Sequence, residues 1–360
     1  TSVEQDRPED RNIEYVEEPA AETTTSSETE ATTQETAPQR PAINPEAVVA
    51  LMDGDYYMEQ GQIDMAMESY SNAINLALEG ENPTEFAEAY NNLGVLYYRQ
   101  GNFDQARQNF EAAVNAYEVD LFEAVLNLGY VLFFLGEGNA CYEKADQALQ
   151  ISPESHEAYN LMGLAEMLNG NWDAAAQAFE QAVAHTENSR LKAMYSLNRA
   201  QVYVENDRGS RDPSASRELF NNAIQSIETA RNHLTEEVAD SNPYFLAYQG
   251  WVRHYFRREL NLALDFYEQA LALNPEPPYL VGALHYNIAC VYSILSRDIS
   301  EEQASISNRD AVLQELEAAL ETGYAYSPAG NEVDSIREDR DIYFIKLKYS
   351  EELEALLNQY

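Results

Sequence analysis

Three series of small residues step through this sequence together. Gly54, Gly94, Gly129 and Gly163 form one, Gly61, Gly101, Gly136 and Gly170 a second, and Ala73, Ala113, Ala148 and Ala182 a third. In each series the steps are 40, 35 and 34 residues. Three independent landmarks moving in step mark an internal repeat. A repeat of this period restricts the chain to an array whose units bury their apolar faces on their neighbours.

Within a unit the apolar residues fall at helical spacing. In residues 87–118, Tyr90, Leu93, Gly94 and Tyr97 share one face of a first helix; Gly101-Asn102 breaks it; Ala106, Phe110 and Ala113 line a second. Gly94 and Ala106 are small enough for two antiparallel helices to approach closely. Tyr90, Leu93, Tyr97 and Phe110 are expected to fill the space between repeats. Gly101 supplies a turn in which positive φ costs a glycine little.

This pattern resembles the tetratricopeptide repeat (TPR) family. Residues 87–101, AEAYNNLGVLYYRQG, match the family's first helix nearly throughout. The next unit keeps Leu128, Gly129, Gly136, Ala148 and Pro153, with Cys141 in place of the usual Ala. The unit after it keeps Tyr159, Met162, Gly163, Gly170, Ala175, Phe179 and Ala182, and an earlier one keeps Gly54, Tyr57, Gly61, Ala66, Tyr70 and Ala73. Beyond residue 190 the match loosens around polar insertions at 205–216 and 297–309. It returns through Gly250, Ala263, Tyr267, Ala270 and Pro275, and again through Asn287, Ala289, Tyr292, Val312, Leu316 and Ala319. The resemblance implies an all-α, right-handed solenoid of about seven helix pairs. The repeats are expected near 47–80, 87–120, 122–155, 156–189, 190–240, 243–278 and 281–323, within a solenoid spanning 43–325. Residues 326–360 read as a C-terminal cap, with Leu353, Leu356 and Leu357 turned toward the stack. Residues 1–42, rich in Glu, Thr, Ser and Pro, form an acidic arm too poor in apolar side chains to order alone.

Charge excludes several functions. The chain has 62 Asp+Glu against 22 Lys+Arg, a formal net charge of −40, and only four lysines: Lys144, Lys192, Lys346 and Lys348. Nucleic acid needs a basic face, and anionic lipid attracts basic segments, so neither is an expected partner. No run approaches the ~18 apolar residues that span a bilayer. The first residue is Thr1, so an initiator Met or a longer targeting segment is expected to have been removed. A lysine-poor, strongly acidic surface suits a salty medium, which favours an extracytoplasmic or secreted setting over the cytoplasm.

Catalytic patterns are missing. The five histidines (His156, His185, His233, His254 and His285) are scattered, no cysteines stand at metal-ligand spacing, and no phosphate-binding glycine loop occurs. Cys141 and Cys290 read as small packing residues. No enzyme activity, cofactor or metal is expected.

Binding is expected along the first helices, which in the TPR family line the concave groove. The resemblance places Asn91, Asn92, Val95, Tyr98 and Arg99 there, followed by Leu126, Asn127, Tyr130, Phe133 and Phe134, then Asn160, Leu164 and Met167. The family's carboxylate clamp of Lys, Asn and Arg is not reproduced. Its sites hold Leu51, Asp55, Asn91, Val95 and Leu126, with Arg99 the one cation, so an apolar or neutral peptide is expected. Asn92, Asn127, Asn198 and Asn287 occupy equivalent sites and either hold a peptide backbone or bond locally. The leading expectation is a protein-interaction scaffold. The alternative is a self-assembling subunit of an extracytoplasmic filament or tube, in which Ile13, Tyr15 and Val16 of the arm dock on a neighbouring copy.

Overall fold

A computed structural model describes residues 44–79, 86–116, 121–208, 212–276, 278–296, 302–322, 336–337 and 339–360. The arm, with Ile13, Tyr15 and Val16, lies outside them. All regular structure among the described residues is helical. Seven hairpins follow in order: α1 (Pro45–Glu59) with α2 (Ile63–Leu78), α3 (Ala87–Arg99) with α4 (Phe103–Asn115), α5 (Phe122–Phe134) with α6 (Gly138–Ile151), and α7 (His156–Leu168) with α8 (Trp172–Ala184). Then come α9 (Ser189–Arg208) with α10 (Pro213–His233), α12 (Pro243–Tyr255) with α13 (Leu260–Ala272), and α14 (Pro278–Leu295) with α15 (Glu302–Glu321). The short α11 (Glu236–Ser241) intervenes before α12, and α16 (Tyr343–Lys348) and α17 (Ser350–Leu357) close the described chain.

Local chemistry starts and stops these helices. Asn44 accepts from the Glu46 N–H ahead of Pro45, Ser155 Oγ accepts from the Ala158 N–H, and Asn242 accepts from the Phe245 N–H. Each side chain satisfies a donor that the first helical turn leaves unpaired. At the other end, Gly101 takes φ 72°. Its N–H reaches the Tyr98 carbonyl while the Asn102 N–H reaches Tyr97, both at 2.9 Å. This double closure needs a left-handed residue, hence glycine at 61, 101, 136 and 170. The α12–α13 turn makes the same pair of bonds with Arg257 at that place, at φ 51°. A side chain there costs about 1–2 kcal/mol.

The first series of glycines does different work. A methyl group on Gly94 would lie 2.7 Å from the Phe110 ring, on Gly54 2.4 Å from Tyr70, on Gly163 2.8 Å from Phe179, and on Gly250 2.7 Å from Tyr267. Each ring is buried and occupies the space of a missing side chain inside its own hairpin. Phe110, expected between repeats, is therefore an intrahairpin residue. The α5–α6 hairpin breaks the pattern, because Ala145 stands where the ring would be. Leu161 of α7 fills the gap instead and approaches a methyl on Gly129 to 2.3 Å.

The described helices fall into two compact units, α1–α8 and α9–α17. In the first, Tyr70, Ala73 and Ala77 of α2 pack with Ala47 and Ala50 of α1 and with Ala89, Leu93 and Leu96 of α3. In the second, Leu353, Leu356 and Leu357 of α17 bury against Val312, Leu316 and Ala319 of α15, together with Ile342 and Ile345. The polar insertion near 205–216 partly lengthens a hairpin: α9 has 20 residues and α10 has 21, against 13 in α3 and α4.

Two alanine substitutions separate the two glycine roles. Gly94→Ala meets a buried ring and is expected to cost about 2–3 kcal/mol. Gly101→Ala meets open space and costs only the backbone strain, about 1 kcal/mol. Urea unfolding of the two variants should rank them in that order.

Candidate peptide-binding groove

In the first unit a polar chain links the first helices of successive hairpins. Asn127 Nδ2 on α5 donates to Asn91 Oδ1 on α3 at 3.0 Å, and Asn91 donates to its neighbour Asn92 at 3.4 Å. Asn92 in turn donates to Asp55 Oδ1 on α1 at 3.1 Å, and Tyr70 OH donates to the same oxygen at 2.8 Å. Burial, and then Asp55 itself, push the Tyr70 hydroxyl far above its ordinary pKa, so it remains a donor. One helix pair further on, Asn160 Nδ2 on α7 donates to Tyr130 OH on α5 at 3.2 Å. Each bond spans 30 or more residues except the adjacent Asn91–Asn92 step and the intrahairpin Tyr70–Asp55 contact. These amides therefore help to set the spacing of the hairpins.

The groove residues named from the sequence divide by exposure. Asn91, Val95, Leu126, Asn127, Tyr130, Asn160 and Leu164 are buried among neighbouring helices. Asn92, Tyr98, Phe133 and Met167 are half-buried, and Arg99 and Phe134 are exposed. Asn287 in the second unit is half-buried, while Asn198 is buried.

The accessible members include a ring cluster. Phe103, the first residue of α4, stacks on Phe134 with centroids 5.2 Å apart and planes 3° from parallel. Tyr98 meets Phe103 at 5.8 Å and Phe134 at 5.7 Å, and Phe133 meets Phe134 edge-on at 5.5 Å. Phe134 is 41 % exposed. Rings clustered this way gain from one another's quadrupoles and still offer an apolar surface to a partner. Phe103 was missed from the sequence because it caps the turn rather than lying on a first helix.

The second unit holds a polar hub that periodicity did not reveal. Arg257 NH2 donates to Asp341 Oδ1 at 2.5 Å, and His254 Nε2 lies 3.4 Å from Asp341 Oδ2. Tyr286 OH donates to the buried Asp339 at 2.5 Å. The segment before α16 is thus tied to α12 and α14. Burial pushes the Asp341 carboxyl up, but His254 and Arg257 outweigh it and hold it below the usual carboxylate range. One signal was present: Arg257 follows Gly250 by seven residues, as each turn glycine follows its helix glycine. Arg253 is anchored nearby to Glu259 at 3.0 Å and to the Gln249 carbonyl at 2.9 Å, with its guanidinium 4.9 Å from the Phe266 ring centre.

Both cysteines are buried, and burial pushes the Cys141 thiol up to about 12. Among the described residues no group of three or more His, Cys, Asp or Glu is placed to hold a metal ion. No helix among them is long and apolar enough to cross a membrane.

Ring-on-glycine hairpins stacked through their first helices define an all-α solenoid of the protein-interaction class. The comparisons name the family. The tetratricopeptide repeat pattern matches residues 50–118, and again 142–190 and 160–226. Over these stretches the chain carries tetratricopeptide repeats. It is similar to a tetratricopeptide repeat protein from Parabacteroides merdae, with 15 % identity over 84 % of this chain and 99 % of that one, at a TM-score of 0.58. It also resembles the C-terminal part of a TPR repeat-containing protein from Cytophaga hutchinsonii, with 14 % identity over 76 % of this chain and 98 % of the other, at a TM-score of 0.49. An uncharacterized protein of Haemophilus influenzae is 35 % identical over 79 residues, 21 % of this chain. The chain spans 41 % of the length of that curated relative.

Two measurements probe these networks. Asn127→Ala leaves the Asn91 amide oxygen buried without its donor, at an expected cost of about 2 kcal/mol. Adding Asn91→Ala should then cost much less than Asn91→Ala alone, a coupling that a double-mutant cycle in urea resolves. Asp341→Asn is expected to cost about 1 kcal/mol at neutral pH, since its Arg257 partner is half exposed. A depressed carboxylate contributes stability above its unfolded pKa and loses it as pH falls through the folded value. The gap between wild type and Asp341→Asn should therefore close below about pH 4.

Proposed function

We propose that this chain is a non-enzymatic scaffold that holds an extended apolar or neutral peptide of a partner protein along the first helices of its N-terminal unit. The observation that carries the reading is the accessible ring cluster of Tyr98, Phe103, Phe133 and Phe134, flanked by Asn92 and Arg99. Aromatic anchors in such a cluster supply most of the energy in a peptide interface. Several groove amides are bonded to one another, so specificity rests on rings and shape more than on an amide ladder. At the sites of the family's carboxylate clamp this sequence holds Leu51, Asp55, Asn91, Val95 and Leu126 with Arg99 the one cation, which supports a partner without a carboxylate-rich terminus. A net charge of −40 with four lysines also supports work in a salty, extracytoplasmic medium.

A phage-displayed library of random linear peptides, selected on the full chain, tests this. Enriched peptides should be rich in aromatic and aliphatic residues and poor in Asp and Glu. Phe134→Ser should weaken their binding at least tenfold, about 1.4 kcal/mol. Enrichment of acidic peptides, or unchanged binding to Phe134→Ser, would sink the reading.

A further inference from the structure

The first described helix carries an apolar stripe with no described helix preceding it. Along α1, Ala47, Ala50 and Gly54 are buried, while Val48, Val49, Met52 and Tyr56 stand exposed, Met52 at 64 % and Tyr56 at 58 %. The four lie at helical spacing, so they form one face. Around them α1 carries Glu46, Asp53, Asp55 and Glu59 and no cation.

A second uncovered apolar face has the opposite charge. On α16, Phe344 and Ile345 are buried, while Tyr343 and Leu347, four residues apart, are 57 % and 62 % exposed. This helix has no acid. It holds Lys346 and Lys348, two of the four lysines in the chain, and Arg340 stands exposed just before it. Lys346 is turned inward to the Arg337 carbonyl at 3.0 Å, while Lys348 lies exposed, 5.0 Å from the Phe344 ring centre. The neighbouring α17 begins with Glu351 and Glu352, and Asp339 and Asp341 just before α16 are engaged by Tyr286, Arg257 and His254, so the cationic character is confined to α16 and Arg340. In a chain with a net charge of −40, an apolar face whose own helix carries cations and no acid is a rare surface.

We propose that these two faces are partners, the α1 stripe of one copy seating on the α16 face of the next. Each face supplies apolar surface, and each supplies the charge the other lacks. The competing occupant of the α1 stripe is the arm just before it. Residues 1–43 carry 11 acids and 3 arginines, and an acidic segment is repelled by an acidic helix. The α16 face presents Lys348 and Arg340 with no acid on its helix, whereas in the arm acids outnumber arginines 11 to 3. The contact is heterologous, so it propagates into chains or closes into rings rather than stopping at a symmetric dimer. It involves neither the ring cluster nor the arm residues Ile13, Tyr15 and Val16.

Sedimentation of the full chain at about 0.15 M salt tests this. The wild-type mass should rise with concentration past that of a dimer. Met52→Asp and Leu347→Asp each spoil one face at an exposed position, so circular dichroism should show both folded and each should sediment as a monomer. Mixed in equal amounts they should form a 1:1 dimer and nothing larger, because one intact α16 face then meets one intact α1 stripe. A wild-type chain that stays monomeric at every concentration overturns the proposal. So does self-association of either variant, which would mean a symmetric contact, or a mixture that remains monomeric. A monomer that associates only after residues 1–43 are removed would assign the stripe to the arm and also overturns it.

Discussion

The contact between a buried ring and a bare glycine inside a hairpin underlies the rest of this structure. Four hairpins use it, with Tyr70, Phe110, Phe179 and Tyr267 each lying where a side chain on the facing helix would be. It sets the separation of the two helices, because a ring against a backbone permits only one close distance. That separation fixes where the remaining residues of the first helices emerge, and hence which of them can meet the next hairpin. The α5–α6 hairpin shows the constraint by its exception. With Ala145 in place of the ring, the space over Gly129 is filled by Leu161 from the following helix, so this hairpin depends on its neighbour for its own packing. Solenoid stability is ordinarily a sum of unit and interface terms, and here one interface term substitutes for an internal one.

Above this packing lies a polar layer. Asn127, Asn91, Asn92, Asp55 and Tyr70 form a continuous chain of donors and acceptors across three first helices. Buried amides are costly when unpaired, so such a chain favours one register of hairpin on hairpin over others that would bury as much apolar surface. Neighbouring side chains absorb much of the hydrogen-bonding capacity along this face. What stays accessible is aromatic, and that bias directs the functional reading toward apolar contacts. The second unit uses a different device. Where its turn lacks glycine, Arg257 accepts a strained backbone and places its guanidinium on Asp341, which ties the chain before α16 to α12.

Much of this was legible beforehand, and its reach can be traced residue by residue. The spacings of Gly54, Gly94, Gly129 and Gly163, and of the turn glycines seven residues later, announced helix hairpins, because only a bare backbone serves a close helix crossing or a left-handed turn. The C-terminal leucines Leu353, Leu356 and Leu357 announced a buried helix in the same way. Groove positions could be named from register, but not their state. Asn91 and Asn92 are adjacent and chemically identical, yet one is buried and the other half-buried. Phe103 escaped notice because it belongs to a turn, and its stacking on Phe134 depends on how two hairpins meet.

By itself the sequence determined that this is an array of helix hairpins, where four of them turn on glycine, and which sign of charge the chain carries. These follow from local periodicity and composition, which act within a few residues or over the whole chain at once. Only the tertiary structure decided that Phe110 fills its own hairpin, that Leu161 replaces a missing ring, that the groove amides bond to one another, and that Arg257 reaches Asp341 some 84 residues away. Such contacts join residues far apart in the chain. Their partners are chosen by the angle and distance at which hairpins stack, and no single segment carries that information.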